Sequence, residues 1–194
     1  MKLIGYMIMF ILIGNMTYAE NRDSSFTLWQ LPAQTRSQMN SYVIRIPGNE
    51  LIVIDAGTKG DAAYLRKFIG DLGNHVHAWF ISHTHYDHVD ALTAILNDPG
   101  EIKIDKIYGS FPDDTWMKRH QNAGADKTQL QLKAAIKKSK SELLDLLPGQ
   151  KNTFKAVTFK VLSTLNPELT VNAVNNQSAV WRVDGGGKIC SVSG

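Results

Sequence analysis

Strand-like runs that take turns with amphipathic helical runs predict a layered α/β domain. Three observations carry this expectation: an apolar hairpin pattern at 41–54, a helical stripe over 60–72, and a buried-strand run at 76–82 that leads straight into a second helical pattern. With 194 residues, 43% of them hydrophobic, and no low-complexity tract, the chain has the material for one compact domain.

The first residues differ in kind. Lys2 precedes an apolar run over 3–13, and Thr17-Tyr18-Ala19 supplies a small-x-small site, which predicts a cleavable export signal over 1–19 and a domain over 20–194. The apolar run is about a dozen residues, short of the roughly twenty that a membrane span needs. Periplasmic or extracellular localisation and no membrane association after cleavage are therefore expected. Cleavage removes Lys2 and no acid, leaving 20 basic against 18 acidic residues, so bulk charge selects no partner and oligomeric state is not encoded in it. Cys190 is the single cysteine, which excludes an internal disulfide, and its apolar strand pattern predicts a buried thiol without catalytic use.

Each element has a local cause. Residues 26–31, 41–46 and 50–54 read as strands, the last two joined by the turn tripeptide Pro47-Gly48-Asn49. Gly60-Asp61 opens a helix to about Leu72, with Ala62, Leu65, Phe68, Ile69 and Leu72 on one apolar stripe. A strand at 76–82 and a helix at 89–96 follow, the helix stopped by Asp98-Pro99-Gly100. Residues 104–110 are a strand, and the polar stretch 111–127 is expected to be a loop over the site. Residues 128–147 read as one long helix with Leu132, Ile136, Leu143 and Leu147 inward and Lys133, Lys137 and Lys140 opposite. The remainder, 153–162, 178–183 and 188–192, is strand-like, the last two joined by Asp184-Gly185-Gly186-Gly187. The chain stops at Gly194 directly after an apolar strand, which reads as a chain cut short.

The chemistry concentrates in His83-Thr84-His85-Tyr86-Asp87-His88 on the strand-to-helix loop. Side chains two apart on extended backbone share a face, so His83 and His85 can address one cation. Asp87 and His88, from the start of the following helix, are placed for a second. Asp87 also occupies a region where a helix N-cap is favoured. Imidazole nitrogens with a carboxylate suit zinc first, with manganese or iron open. Cations held by neutral imidazoles lower the pKa of bound water and draw anionic oxygen, so no serine or cysteine nucleophile is required. Asp87 and His88 are the side chains expected to attend catalysis.

This hexapeptide, preceded by Leu51-Ile52-Val53-Ile54-Asp55-Ala56-Gly57, resembles the metallo-β-lactamase superfamily. The resemblance implies a four-layer αββα sandwich with an incomplete second half. It implies that His83 and His85 hold one metal, that Asp87 and His88 hold the other, and that Asp55 supports the metal loop from behind. Asn175-Asn176-Gln177-Ser178-Ala179-Val180-Trp181-Arg182-Val183 resembles a strand of the ComEC-like branch. That second likeness tilts the expected substrate toward phosphodiesters, nucleic acid among them, with β-lactams, lactones and thioesters as alternatives for the same centre.

Two departures from the family point to another class, a non-catalytic metal-binding homologue. The family's third histidine is replaced by the run Ser163-Thr164-Leu165-Asn166-Pro167, and the chain ends at Gly194 where a bridging aspartate is expected next. Asp90-Ala91 stands where a glycine pair is common, which is expected to narrow the entrance. Outside the motif, His75 and His77 are expected at the surface or in the core, His120 in a solvated loop with Trp116, Lys118 and Arg119, and the helix lysines on an exposed face.

Overall fold

Valine- and isoleucine-rich runs, separated by turn residues, pair into two sheets. The computed structural model describes residues 25–122 and 124–194; the leader expected at 1–19 lies outside them. Strands β1 (Thr27–Gln30), β2 (Ser41–Ile46) and β3 (Glu50–Asp55) form an antiparallel meander. Between β2 and β3, Gly48 at φ 81° and Asn49 at φ 61° take the left-handed conformation that this tight turn requires.

Helix α1 (Ala62–Asp71) then carries the chain to β4 (His75–Phe80), which joins β3 in parallel. Helix α2 (Tyr86–Asn97) leads to β5 (Lys103–Tyr108), parallel to β4. Helices α3 (Asp114–His120) and α4 (Ala125–Lys138) precede β6 (Glu142–Leu144), so the first sheet has the order β1-β2-β3-β4-β5-β6. Strands β7 (Lys151–Phe154), β8 (Val157–Ser163), β9 (Val180–Gly185) and β10 (Lys188–Ser193) form an antiparallel second sheet, with the short helix α5 (Ala173–Asn176) between β8 and β9.

The first sheet is covered on both sides, which is why β3 is apolar at nearly every position. Val43, Leu51, Val53, Trp79 and Ile107 meet Leu65 and Ile69 of α1, Leu92 and Ile95 of α2, and Leu132 and Ile136 of α4. Ile44, Ile52, Ile54 and Phe80 meet Phe159, Val161, Trp181 and Val183 of the second sheet. Each such side chain contributes about 1.5–3 kcal/mol on burial. Helix, sheet and sheet are three of the four layers expected, and they are what the described residues contain. Among those residues, no helix is long and apolar enough to cross a membrane.

Several expectations are corrected. The long helix over 128–147 ends at Lys138. Ser139 then turns the chain: its Oγ donates to the Ile136 carbonyl, and the Ser141 N–H donates to that Oγ. Ser141 Oγ donates to the Ile104 carbonyl, and 142–144 add to β5 as a parallel strand. Leu143 and Leu147, expected inward, are therefore 43% and 61% exposed. The expected single strand at 153–162 is a hairpin, turned at Lys155 with φ 52°. The expected loop at 111–127 contains α3, whose N-terminus is capped by the Asp113 carboxylate accepting from the Thr115 and Trp116 amides. Asn175 and Asn176 end α5, so the strand resembling the ComEC-like branch starts only at Val180. Cys190 is half-buried.

Candidate metal centre

The C-terminal ends of β3 and β4 and the N-terminus of α2 meet at one edge of the first sheet. After Phe80 the chain stays extended to His85 (φ −71°, ψ 151°) and only then coils into α2. That conformation puts His83 and His85 on one side, with His83 Nε2 3.0 Å from His85 Nδ1. The first turn of α2 then brings Asp87 Oδ2 to 3.9 Å from His88 Nε2. All four side chains are buried. Asp87 proves to lie inside the first helical turn, with His85 at the cap position, and its carboxylate accepts from Gln38 Nε2 at 2.9 Å. The capping role considered from sequence is thus not what this aspartate performs.

Asp55 is fully buried and holds a left-handed φ of 54°, which costs a non-glycine residue energy and persists only where surroundings impose it. Its carboxylate accepts from the Ser82 amide at 2.8 Å, Ser82 Oγ at 2.6 Å and His88 Nδ1 at 2.8 Å. The backbones are tied as well: the Ala56 amide donates to the His88 carbonyl at 2.6 Å, and the Ala91 amide to the Gly57 carbonyl at 3.1 Å.

These contacts orient the rings. His88 donates from Nδ1 to Asp55 and His85 from Nε2 to Asn122 Oδ1 at 2.7 Å, while His83 Nδ1 lies 2.9 Å from Ser178 Oγ. The remaining nitrogens, His83 Nε2, His85 Nδ1 and His88 Nε2, belong to side chains that line the cavity. Burial, followed by the neighbouring rings of His88 and His85, pushes the His83 pKa down to about 2, which keeps that ring neutral. Burial works the same way on His88, but the Asp55 carboxylate, with Asp87, outweighs it and raises the pKa.

The cavity measures about 430 Å³ and is also lined by Gln38, Tyr86, Asn122, Asn175 and Gly194. Gln38, Asn122 and Gly194 were not signalled by the sequence as site residues. Each lies far along the chain in an unremarkable context, and only the fold brings it here. At Gly194 a side chain would collide with Ser82, so only glycine fits this position. Asn166 is exposed, and its side chain accepts from the Glu168 amide; it does not line the cavity. Asp90 and Ala91 are not among the residues that line it. His120 packs on Trp116 at 4.8 Å and is not among the residues lining the cavity, and His75 and His77 sit at the other end of β4.

The sequence profile of the metallo-beta-lactamase superfamily matches residues 35–162. The chain belongs to that superfamily. Among solved structures, the metallo-beta-lactamase of Cronobacter sakazakii with the HARLDQ motif is similar at 19% identity and TM-score 0.52, over 80% of this chain and 56% of that one. YhfI of Bacillus subtilis, a metallo-beta-lactamase fold protein, is similar at 17% identity and TM-score 0.51, over 86% of this chain and 60% of that one. At such identities the likeness is one of fold, and this metallo-beta-lactamase-fold chain spans under two thirds of the length of either structure. No curated protein matches its sequence.

Proposed function

We propose that the chain is a metal-dependent hydrolase in which His83 and His85 hold one cation and Asp87 and His88 hold a second. The observation that carries this reading is the facing pair of ring nitrogens. Two nitrogens about 2.0–2.1 Å from one tetrahedral zinc ion stand roughly 3.3 Å apart. His83 Nε2 and His85 Nδ1 are 3.0 Å apart, close to that spacing, while the other nitrogen of each ring meets Ser178 Oγ or Asn122 Oδ1. A cation between these nitrogens takes the place of the hydrogen bond that the same spacing allows between the two rings.

The donor set of imidazoles and one carboxylate suits zinc best and also accommodates manganese or iron. When bound, such cations polarise a carbonyl or phosphoryl oxygen and make water nucleophilic near neutral pH. The chain's own residues supply the rest. Asp55 aims His88, Asn122 aims His85, and Ser82 and Ser178 aim His83. Gln38 orients the Asp87 carboxylate. Asn122, Asn175 and Tyr86 offer hydrogen bonds with which a substrate's oxygens can be positioned over the centre.

A phosphodiester, nucleic acid included, is the substrate class we favour. The resemblance of 175–183 to the ComEC-like branch and the polar lining of the cavity support it. A β-lactam is the second reading, supported by the structural relatives named as metallo-beta-lactamases. Residues 1–19 are proposed to direct export. Parallel assays with single-stranded DNA, bis-p-nitrophenyl phosphate and a chromogenic β-lactam, each with and without chelator, test the proposal. Chelator-sensitive turnover of one class, restored by zinc, is the expected result. Two tightly bound equivalents without turnover of any substrate would leave a metal-binding, non-catalytic homologue.

A further inference from the structure

The parallel pairing of β4 and β5 sets another cluster at the far end of these strands, away from the centre just described. His75 and His77 lie on one side of β4, and their rings stack at 4.0 Å between centroids. Asp105 stands on β5, and its Oδ2 is 2.8 Å from His75 Nε2. One ligand atom from each of His75, His77 and Asp105 lies within 4.8 Å of the others. We propose that His75, His77 and Asp105 form a second, independent cation site for a first-row divalent ion of the zinc, nickel or copper kind.

Donor chemistry selects the ion class. Two imidazoles and one carboxylate satisfy borderline cations, whereas magnesium and calcium require oxygen ligands throughout. The 2.8 Å separation of His75 Nε2 and Asp105 Oδ2 is that of a hydrogen bond, and an opening of about 0.5 Å gives the spacing of two ligands on one tetrahedral ion. On binding, the ion takes the place of the proton between that pair, and that proton passes to water. His77 is ready to coordinate: burial holds its pKa below the ordinary imidazole range, and its Nδ1 is buried without a hydrogen-bond partner. Burial works against ionisation of Asp105, but hydrogen bonds from Lys103 and His75 outweigh it and keep the carboxylate charged.

The surroundings set the competition. Lys103 Nζ is 3.0 Å from Asp105 Oδ1, the oxygen that does not face His75, and leaves Oδ2 to the ion. Glu50 Oε1 lies 3.9 Å from His77 Nε2 and 3.2 Å from Lys155 Nζ, so a second carboxylate borders the site with its charge already paired. All three ligands are only partly buried, so water can complete the coordination. An ion here joins β4 to β5 and acts as a brace on the sheet, without taking part in turnover.

The test uses the full chain and zinc alone as probe. Equivalents bound after equilibrium dialysis are counted for the parent protein, for H75Q/H77Q, for D87N/H88Q and for the combination of all four substitutions. The expected result is one equivalent fewer in H75Q/H77Q than in the parent, and one fewer in the fourfold variant than in D87N/H88Q. In the D87N/H88Q background zinc raises the melting temperature, and the added H75Q/H77Q pair abolishes that rise. Equal stoichiometry within each pair, with circular dichroism showing all four proteins folded, would overturn the site. Should a variant fail to fold, the parent is soaked with one equivalent of zinc beyond the histidine-motif sites. An anomalous peak among residues 75, 77 and 105 then supports the proposal, and its absence sinks it. Because the two backgrounds are read separately, loss of this site and failure of the histidine motif to bind metal are distinguishable.

Discussion

Asp55 shows how much one side chain can set. Its carboxylate takes three donors while its backbone sits at φ 54°, so the residue is held in place by the centre it supports. Asp55→Asn keeps the shape but removes the charge that anchors His88 Nδ1. A fall of about 10–100-fold in zinc affinity is expected, as for other partners that orient metal-binding histidines. Competition titration with a chromogenic chelator measures it, and an unchanged affinity would mean that Asp55 merely ends its strand. Cys190 gives a second residue-scale prediction. Burial first, then the nearby Asp184 carboxylate, raise its thiol pKa, so the thiolate forms only at higher pH than in a free cysteine. Labelling with a disulfide reagent at pH 8 should run slower than for a free thiol and keep accelerating above pH 9; a rate already level at pH 8 would contradict this.

At the scale of elements, α4 separates two kinds of leucine that share one sequence pattern. Leu132 is buried against the first sheet, whereas Leu147 lies beyond the helix and is 61% exposed. Leu132→Ala should cost about 2–5 kcal/mol. Leu147→Ser should stay within about 0.5 kcal/mol, as exposed substitutions usually do. Chemical denaturation of both variants checks the pair, and similar losses would restore the single long helix. This is also where the sequence misled. Heptad-like spacing persisted through Leu143 and Leu147, but the serines at 139 and 141 could bond the backbone and turn it, a local competition that apolar periodicity does not register. By contrast, β2 to β4, α1 and α2 were legible, because each pairs a strong period with a glycine, proline or asparagine stop. The histidine motif was legible because its ligands are neighbours in the chain. Gln38 and Asn122 were not, since their partnership with Asp87 and His85 exists only after folding.

For the whole molecule, the first sheet is the shared wall between two cores. Phe80 stacks on Phe159 at 5.2 Å and on Tyr108 at 4.7 Å, linking β4 to both its neighbour and the second sheet. Removing the ring in Phe159→Ala should cost about 3–5 kcal/mol and lower the denaturation midpoint. Trp79 faces the helices and Trp181 faces the other sheet, so fluorescence samples both cores. Fluorescence and circular dichroism should report one coincident transition in the parent and in the variant; two separate transitions would show that the layers unfold independently.

The hydrogen bond from His85 Nε2 to Asn122 couples the centre to the connection between α3 and α4. A ring steered from so distant a part of the chain behaves like a compass needle with its magnet mounted elsewhere. Lengthening or shortening that connection swings the imidazole while the six-residue motif stays untouched, so new reactivity can arise through edits that leave the hallmark residues intact.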